Sequence, residues 1–286
     1  MVAPNGARRG KSDHPALPVA LEELAATAER CAAAGATALH FHVRDAGGAH
    51  TLDPERCEYW YRRLEERLGA RMLLQLTTEA AGRFAPEEQM ECVRVVQPGA
   101  VSLAPRELAP GFGEPSKALR RFLDWIAERG IAPQYILYDP EEVDRFQEWR
   151  ARGYIPQERP FVLFVLGRYR EPGRPIEPRS LLDFLARHDP ACPWMVCAFD
   201  REETACLMLA ATLGGHLRVG FENSLLHGNG RPARDNAERV RAIARGLALI
   251  GRPRAGLRDT RLLFGDRGLS RRRERKRVAR PDDPGR

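Results

Sequence analysis

Short apolar runs alternate with amphipathic helical stretches along almost the whole chain, and this alternation constrains the fold more than any other feature. The apolar runs are Met1–Pro4, Ala36–His42, Arg71–Thr77, Gly99–Leu103, Pro133–Tyr138, Phe161–Leu166, Trp194–Phe199 and His216–Gly220. Between them lie helical patterns over Leu21–Ala34, Pro54–Leu68, Pro86–Val96, Pro115–Arg129, Pro140–Arg152, Pro178–His188, Arg201–Leu213 and Ala233–Ile250. Several open with proline in the first turn and close on glycine, the residues that helix ends prefer. Eight strand–helix units with no long linker and no internal repeat predict an α/β fold of one (β/α)8 barrel. The first run has almost no residues before Pro4. Either that strand is unusually short, or the recorded start lies downstream of the true one.

The length of 286 residues suits one large domain with a sizeable core. The expected division is a catalytic barrel over 1–265 and a basic, disordered tail over 266–286. That tail carries nine Arg or Lys against four Asp or Glu, so it holds five of the seven net positive charges. Its basicity therefore reads as a solvated tail rather than a nucleic-acid surface. No run of about 18 apolar residues is available to span a membrane, and the amino-terminal stretch lacks the apolar segment of a secretory signal. A cytoplasmic location is the expectation. The six cysteines are scattered, without a CxxC pair, and read as reduced core residues.

Chemistry enters at Leu39-His40-Phe41-His42-Val43-Arg44-Asp45. Side chains alternate along a strand, so His40 and His42 leave one face, where two imidazoles can share a cation. The Gly47-Gly48 turn follows, placing both where a strand gives way to a loop, the end of such barrels that carries the chemistry.

Joined to the motifs Gly214-Gly215-His216-Leu217-Arg218-Val219-Gly220-Phe221-Glu222-Asn223, Phe161–Gly167, Ala3-Pro4-Asn5-Gly6-Ala7 and Asp13–Pro18, this strand resembles the β-keto acid cleavage enzymes from the first residues to about Phe264. The resemblance implies a (β/α)8 barrel that holds a divalent metal, most often zinc, on His40, His42 and Glu222. It also implies a retro-Claisen exchange in which a β-keto acid and acetyl-CoA give acetoacetate and a new acyl-CoA, in a homo-oligomer. Two imidazoles and a carboxylate leave positions open for a substrate. A β-keto acid could chelate there through its ketone and carboxylate oxygens.

By the same resemblance Arg218 belongs to a polar cluster with two acidic residues that acts in proton abstraction. Here Gln134 stands where the family has Glu, and Asn223 where the base Asp is expected. An amide cannot serve as a general base. Arg8 takes the place of an acidic residue, Thr77-Thr78-Glu79-Ala80 replaces a Ser/Thr-Thr-Gly-Gly turn, and Ala104 replaces an Asn. Thr77 and Ser102 still offer hydroxyls to a bound carboxylate. Glu79, and after it Glu107, are the candidates for the displaced base. Arg168 and Arg170 follow the sixth strand and Arg201 the seventh, where a phosphorylated CoA would lie; of these, only Arg201 falls on a family Arg. His216 and the tryptophans Trp125, Trp149 and Trp194 read as packing residues. The alternatives are the same metal site with hydrolase or lyase chemistry, or a metal-binding protein without turnover.

Overall fold

The computed structural model describes residues 1–169 and 176–265. Among these, seven strands form one parallel sheet in chain order. They are β1 (Ala38–Phe41), β2 (Leu73–Leu76), β3 (Ala100–Leu103), β4 (Ala132–Leu137), β5 (Phe161–Leu166), β6 (Trp194–Ala198) and β7 (His216–Leu217). The described helices are α1 (Leu21–Ala33), α2 (Pro54–Leu68), α3 (Pro86–Val96), α4 (Pro105–Leu108), α5 (Lys117–Glu128), α6 (Pro140–Ala151), α7 (Leu181–Leu185), α8 (Glu203–Thr212), α9 (Asn236–Leu249) and α10 (Leu257–Leu263). Capping follows the sequence: Asp53, Ser116, Asp139 and Asp235 each accept a backbone N–H from the first turn of α2, α5, α6 and α9. Three helical elements depart from expectation. The helix over Pro178–His188 is a 3-10 turn followed by the short α7, and α4 and α10 were not expected. The basic tail and Arg170 lie outside the described residues.

Met1–Pro4 does not form a strand. Instead Val2 makes parallel bridges to both Leu39 and Val219. Its N–H donates to the Ala38 carbonyl at 2.8 Å and its own carbonyl accepts from His40 N at 2.9 Å. On the other side Ala3 N donates to the Val219 carbonyl at 2.9 Å. The two edges of the sheet are thus joined through one residue. Gly220 permits the join: it sits at φ +147°, and a Cβ there would lie 2.3 Å from the Ala3 carbonyl oxygen.

The strands are buried on both faces, as parallel strands covered by helices must be. Leu39, Phe41, Leu74, Leu76, Val101 and Leu103 pack outward against the helices. Ala38, Leu73, Ala100, Ala132, Leu163 and Val165 fill the interior with Phe264 from the end of α10. The same alternation sends His40, Gln75, Ser102 and Gln134 inward, because His40 pairs with Gln75 and Ser102 with Gln134 in register.

Candidate active site

A pocket of about 100 Å³ opens at the C-terminal ends of the strands. Each strand or the loop after it contributes: Asn5 and Gly6, His40, Thr77 and Glu79, Ser102 and Glu107, Tyr138, Arg168, Phe199, and finally Arg218 and Glu222.

His40 lies on β1 and His42 just beyond it. Asn5 clamps the His42 backbone, its Nδ2 donating to the carbonyl at 2.9 Å and its Oδ1 accepting from the N–H at 3.2 Å. Glu222 comes from the loop after β7 and approaches the Asn5-Gly6 turn so closely that a Cβ on Gly6 would meet Glu222 Cγ at 2.6 Å. His40 Nε2 lies 3.2 Å from His42 Nε2, and both nitrogens lie 3.4 Å from Glu222 Oε2. Ligands at about 2.0–2.1 Å from one tetrahedral cation are about 3.3–3.4 Å apart. Glu222 Oε2 is buried and receives no hydrogen bond, an arrangement that costs free energy unless a cation sits there. The three residues fit a divalent metal.

Electrostatics agree. Burial pushes the His40 imidazole down to about 3, Glu222 opposing and Arg218 reinforcing it, so the ring is neutral as a ligand must be. Burial alone would raise the Glu222 carboxyl, but Arg218 and the two imidazoles outweigh it and hold it well below the usual carboxylate range. Arg218 donates to Glu222 Oε1 at 3.0 Å and to Cys197 Sγ at 3.2 Å.

Arg218, Gln134 and Asn223 do not share one hydrogen-bonded cluster. Gln134 turns to Gln75 at 3.1 Å and to Met195 Sδ at 3.6 Å. Asn223 is buried with both side-chain atoms unpartnered. Register explains the separation, because Gln134 projects from mid-strand while Asn223 sits in a turn closed by its N–H on the Gly220 carbonyl. Glu79 Oε2 stands 3.8 Å from His42 Nδ1, and its Oε1 accepts from Arg168 at 3.3 Å. Arg8 is 3.9 Å from the same oxygen. Glu107, carried by α4, accepts the Ala80 N–H at 2.9 Å. Its carboxyl is pushed up to about 7, first by burial and then by Glu79, against the opposing Ala80 bond. Thr77 Oγ1 accepts the Glu79 N–H at 3.0 Å, and Ser102 Oγ is buried without a partner. Arg201 is exposed, paired with Glu202 at 2.9 Å, and outside the pocket wall.

Sequence reasoning missed Asn5, His50, Gln75 and Tyr138. His50 packs edge-on against His42, ring centres 5.0 Å apart, and hydrogen-bonds the Glu79 carbonyl at 2.9 Å. Gln75, a lone amide inside the apolar run Leu73–Leu76, was the one with a visible signal. His216 packs against Phe161 at the opposite end of the strands, as expected of a packing residue.

Comparison with known proteins fits this geometry. A 3-keto-5-aminohexanoate cleavage enzyme of Fusobacterium nucleatum is 28% identical over 253 residues, covering 86% of this chain and 90% of that protein. The 3-oxoadipate:acetyl-CoA acetyltransferase of Cupriavidus necator is 25% identical over 277 residues, covering 92% and 93%. Among solved structures, 3-dehydroquinate dehydratase from Enterococcus faecalis superposes with a TM-score of 0.53 at 13% identity over 87% of this chain and 92% of that one, a likeness of fold alone. The family model of the beta-keto acid cleavage enzymes matches residues 1–265, which include every residue of the pocket, and the chain belongs to that family.

Proposed function

We propose that this protein exchanges acyl groups between a β-keto acid and acetyl-CoA, releasing acetoacetate and a new acyl-CoA. The observation that carries the reading is the triangle of His40, His42 and Glu222 atoms at 3.2–3.4 Å, two of whose residues, His40 and Glu222, line a strand-end pocket. The closed sheet is read as a (β/α)8 barrel with Met1–Ala3 in the place of its first strand. A divalent metal on the triad, zinc by the donor set, supplies Lewis-acid polarisation of the ketone when bound.

The rest falls to the chain's own side chains. Ser102 and Thr77 offer hydroxyls to the substrate carboxylate. Arg218 fixes Glu222 and adds positive charge where the enolate oxygen forms. Glu107 suits the base better than Glu79: its carboxyl is poised near neutrality, whereas Glu79 faces His42 Nδ1 and Arg168 and so orients the ligand. Glu107 takes the proton from the carbon between ketone and carboxylate, and that carbon attacks the acetyl carbonyl, expelling the CoA thiolate. The thiolate then attacks the original ketone carbon. The old carbon–carbon bond breaks, the departing acetoacetate carbon recovers the proton from Glu107, and the new thioester remains. Arg201, exposed after β6, is proposed to meet the CoA phosphates beyond the pocket wall.

The test is a panel of 3-oxo acids incubated with acetyl-CoA and zinc-loaded protein, with acetoacetate and new thioesters read by mass spectrometry. Both products are expected together, with kcat/KM rising through a limb near pH 7. Glu107→Gln should remove that limb and cost about 100-fold or more in kcat. Consumption of keto acid without thioester exchange would instead establish hydrolase or lyase chemistry, and a limb that survives in Glu107→Gln but not in Glu79→Gln would return the base to Glu79.

A further inference from the structure

An amide chain crosses the interior of the sheet behind the triad. His40 on β1, Gln75 on β2, Gln134 on β4 and Met195 on β6 are all buried. His40 Nδ1 lies 2.8 Å from Gln75 Oε1, Gln75 Nε2 lies 3.1 Å from Gln134 Oε1, and Gln134 Nε2 lies 3.6 Å from Met195 Sδ.

We infer that Met195, Gln134 and Gln75 form a directional relay that holds His40 in the tautomer able to bind a metal, and that Gln134 is a positioning residue of the metal site rather than a member of the proton-transfer machinery. The direction follows from hydrogen-bonding chemistry. A thioether sulfur accepts but cannot donate. Gln134 therefore turns its NH2 to Met195 and its oxygen to Gln75. Gln75, meeting an acceptor, presents its NH2 to Gln134 and its own oxygen to His40. Nδ1 of His40 must then carry the proton, which leaves the Nε2 lone pair bare and aimed at His42 and Glu222. Reversing any one amide would set two donors or two acceptors face to face in a buried, water-poor interior. A glutamate at 134 would preserve the direction, because a carboxylate also accepts from Gln75.

This inference rests on the reading of the triad as a metal site, and the experiment separates the two. In metal-free protein, 15N-detected histidine NMR should show His40 protonated at Nδ1 and unprotonated at Nε2. Gln75→Leu should mix the tautomers and weaken zinc binding by about 10–100-fold, the range for lost outer contacts to a metal-bound imidazole. Gln134→Leu, which frees Gln75 to turn over, should weaken it less, while Gln134→Glu should bind zinc within about 2-fold of wild type. Melting curves identify any variant that fails to fold, and the wild-type NMR result stands without variants. A proton on His40 Nε2 in the metal-free protein, or wild-type zinc affinity in folded Gln75→Leu, would overturn the relay. Absence of zinc binding by the wild type, with the Nδ1–H tautomer intact, would overturn the metal reading and leave the relay standing.

Discussion

Replacing Gly6 by alanine should dislodge one metal ligand while leaving the protein folded. Gly6 sits at φ +60°, and the added Cβ would meet Glu222 Cγ at 2.6 Å. Ordinary contact begins at 3.4 Å, so the two groups must separate by about 0.8 Å. Metal sites tolerate about 0.2 Å in ligand distance, and Glu222 is one of the three residues of the proposed metal site. The left-handed backbone adds about 1–2 kcal/mol, which in a domain of this size lowers the melting temperature by about 2–8 °C. Zinc affinity should fall by about 10-fold or more, beyond what the loss of stability explains. Gly130→Ala is the control. It has φ +66° with nothing within 4 Å of the new Cβ, so it carries the same backbone cost without the clash. Competition with a chromophoric chelator and thermal melts on both variants give the answer. Equal zinc affinity in the two would refute the steric coupling between the Asn5-Gly6 turn and the ligand.

Two further outcomes follow from groups distant from the triad. Burial first, and Arg252 second, push the His216 imidazole down to about 4. The unfolded chain therefore takes up the proton first, and this contribution to stability is complete above pH 6.5 and lost as pH falls toward 4, by about 2–3 kcal/mol. Melting temperatures of wild type and His216→Phe should converge or cross between pH 7 and pH 4.5; parallel curves would remove His216 from the account. Arg239 is fully buried, pairs with Glu203, and so supports the Glu203 carboxylate that accepts the Gly220 N–H at 3.3 Å. Arg239→Met should cost about 3–5 kcal/mol, the penalty for stranding a buried charge, and urea titration measures it. A loss under 1 kcal/mol would mean that Glu203 finds another partner or a proton.

The legible parts of this chain were those with a period. Alternation announced His40 and His42 as neighbours on one face, and the strand–helix rhythm located seven of the eight expected strands to within a few residues. The join at Val2 escaped because one bridging residue has no pattern. Asn5 and Tyr138 act through position alone, as single ordinary residues on loops and strand ends. Gln134 shows a different limit: its place in the strand was read correctly, but which neighbour its amide would face depended on Gln75 and Met195, two residues from other strands. The helix over Pro178–His188 was overestimated: Pro178 opens a 3-10 turn, and the α-helical part that follows ends at Leu185.

The double bridge at Val2 also sets the order in which the molecule can assemble. Leu39 is 37 positions away from Val2 along the chain and Val219 is 217. The first bond can form early in synthesis, but the second waits until nearly the whole sheet exists. Until then the far side of the Met1–Ala3 segment and the strand most recently formed both present open edges, the surfaces through which unfinished parallel sheets stick to one another. Closure is therefore expected to be the slow, late step of folding, and it needs Gly220, where a side chain would collide with the Ala3 carbonyl.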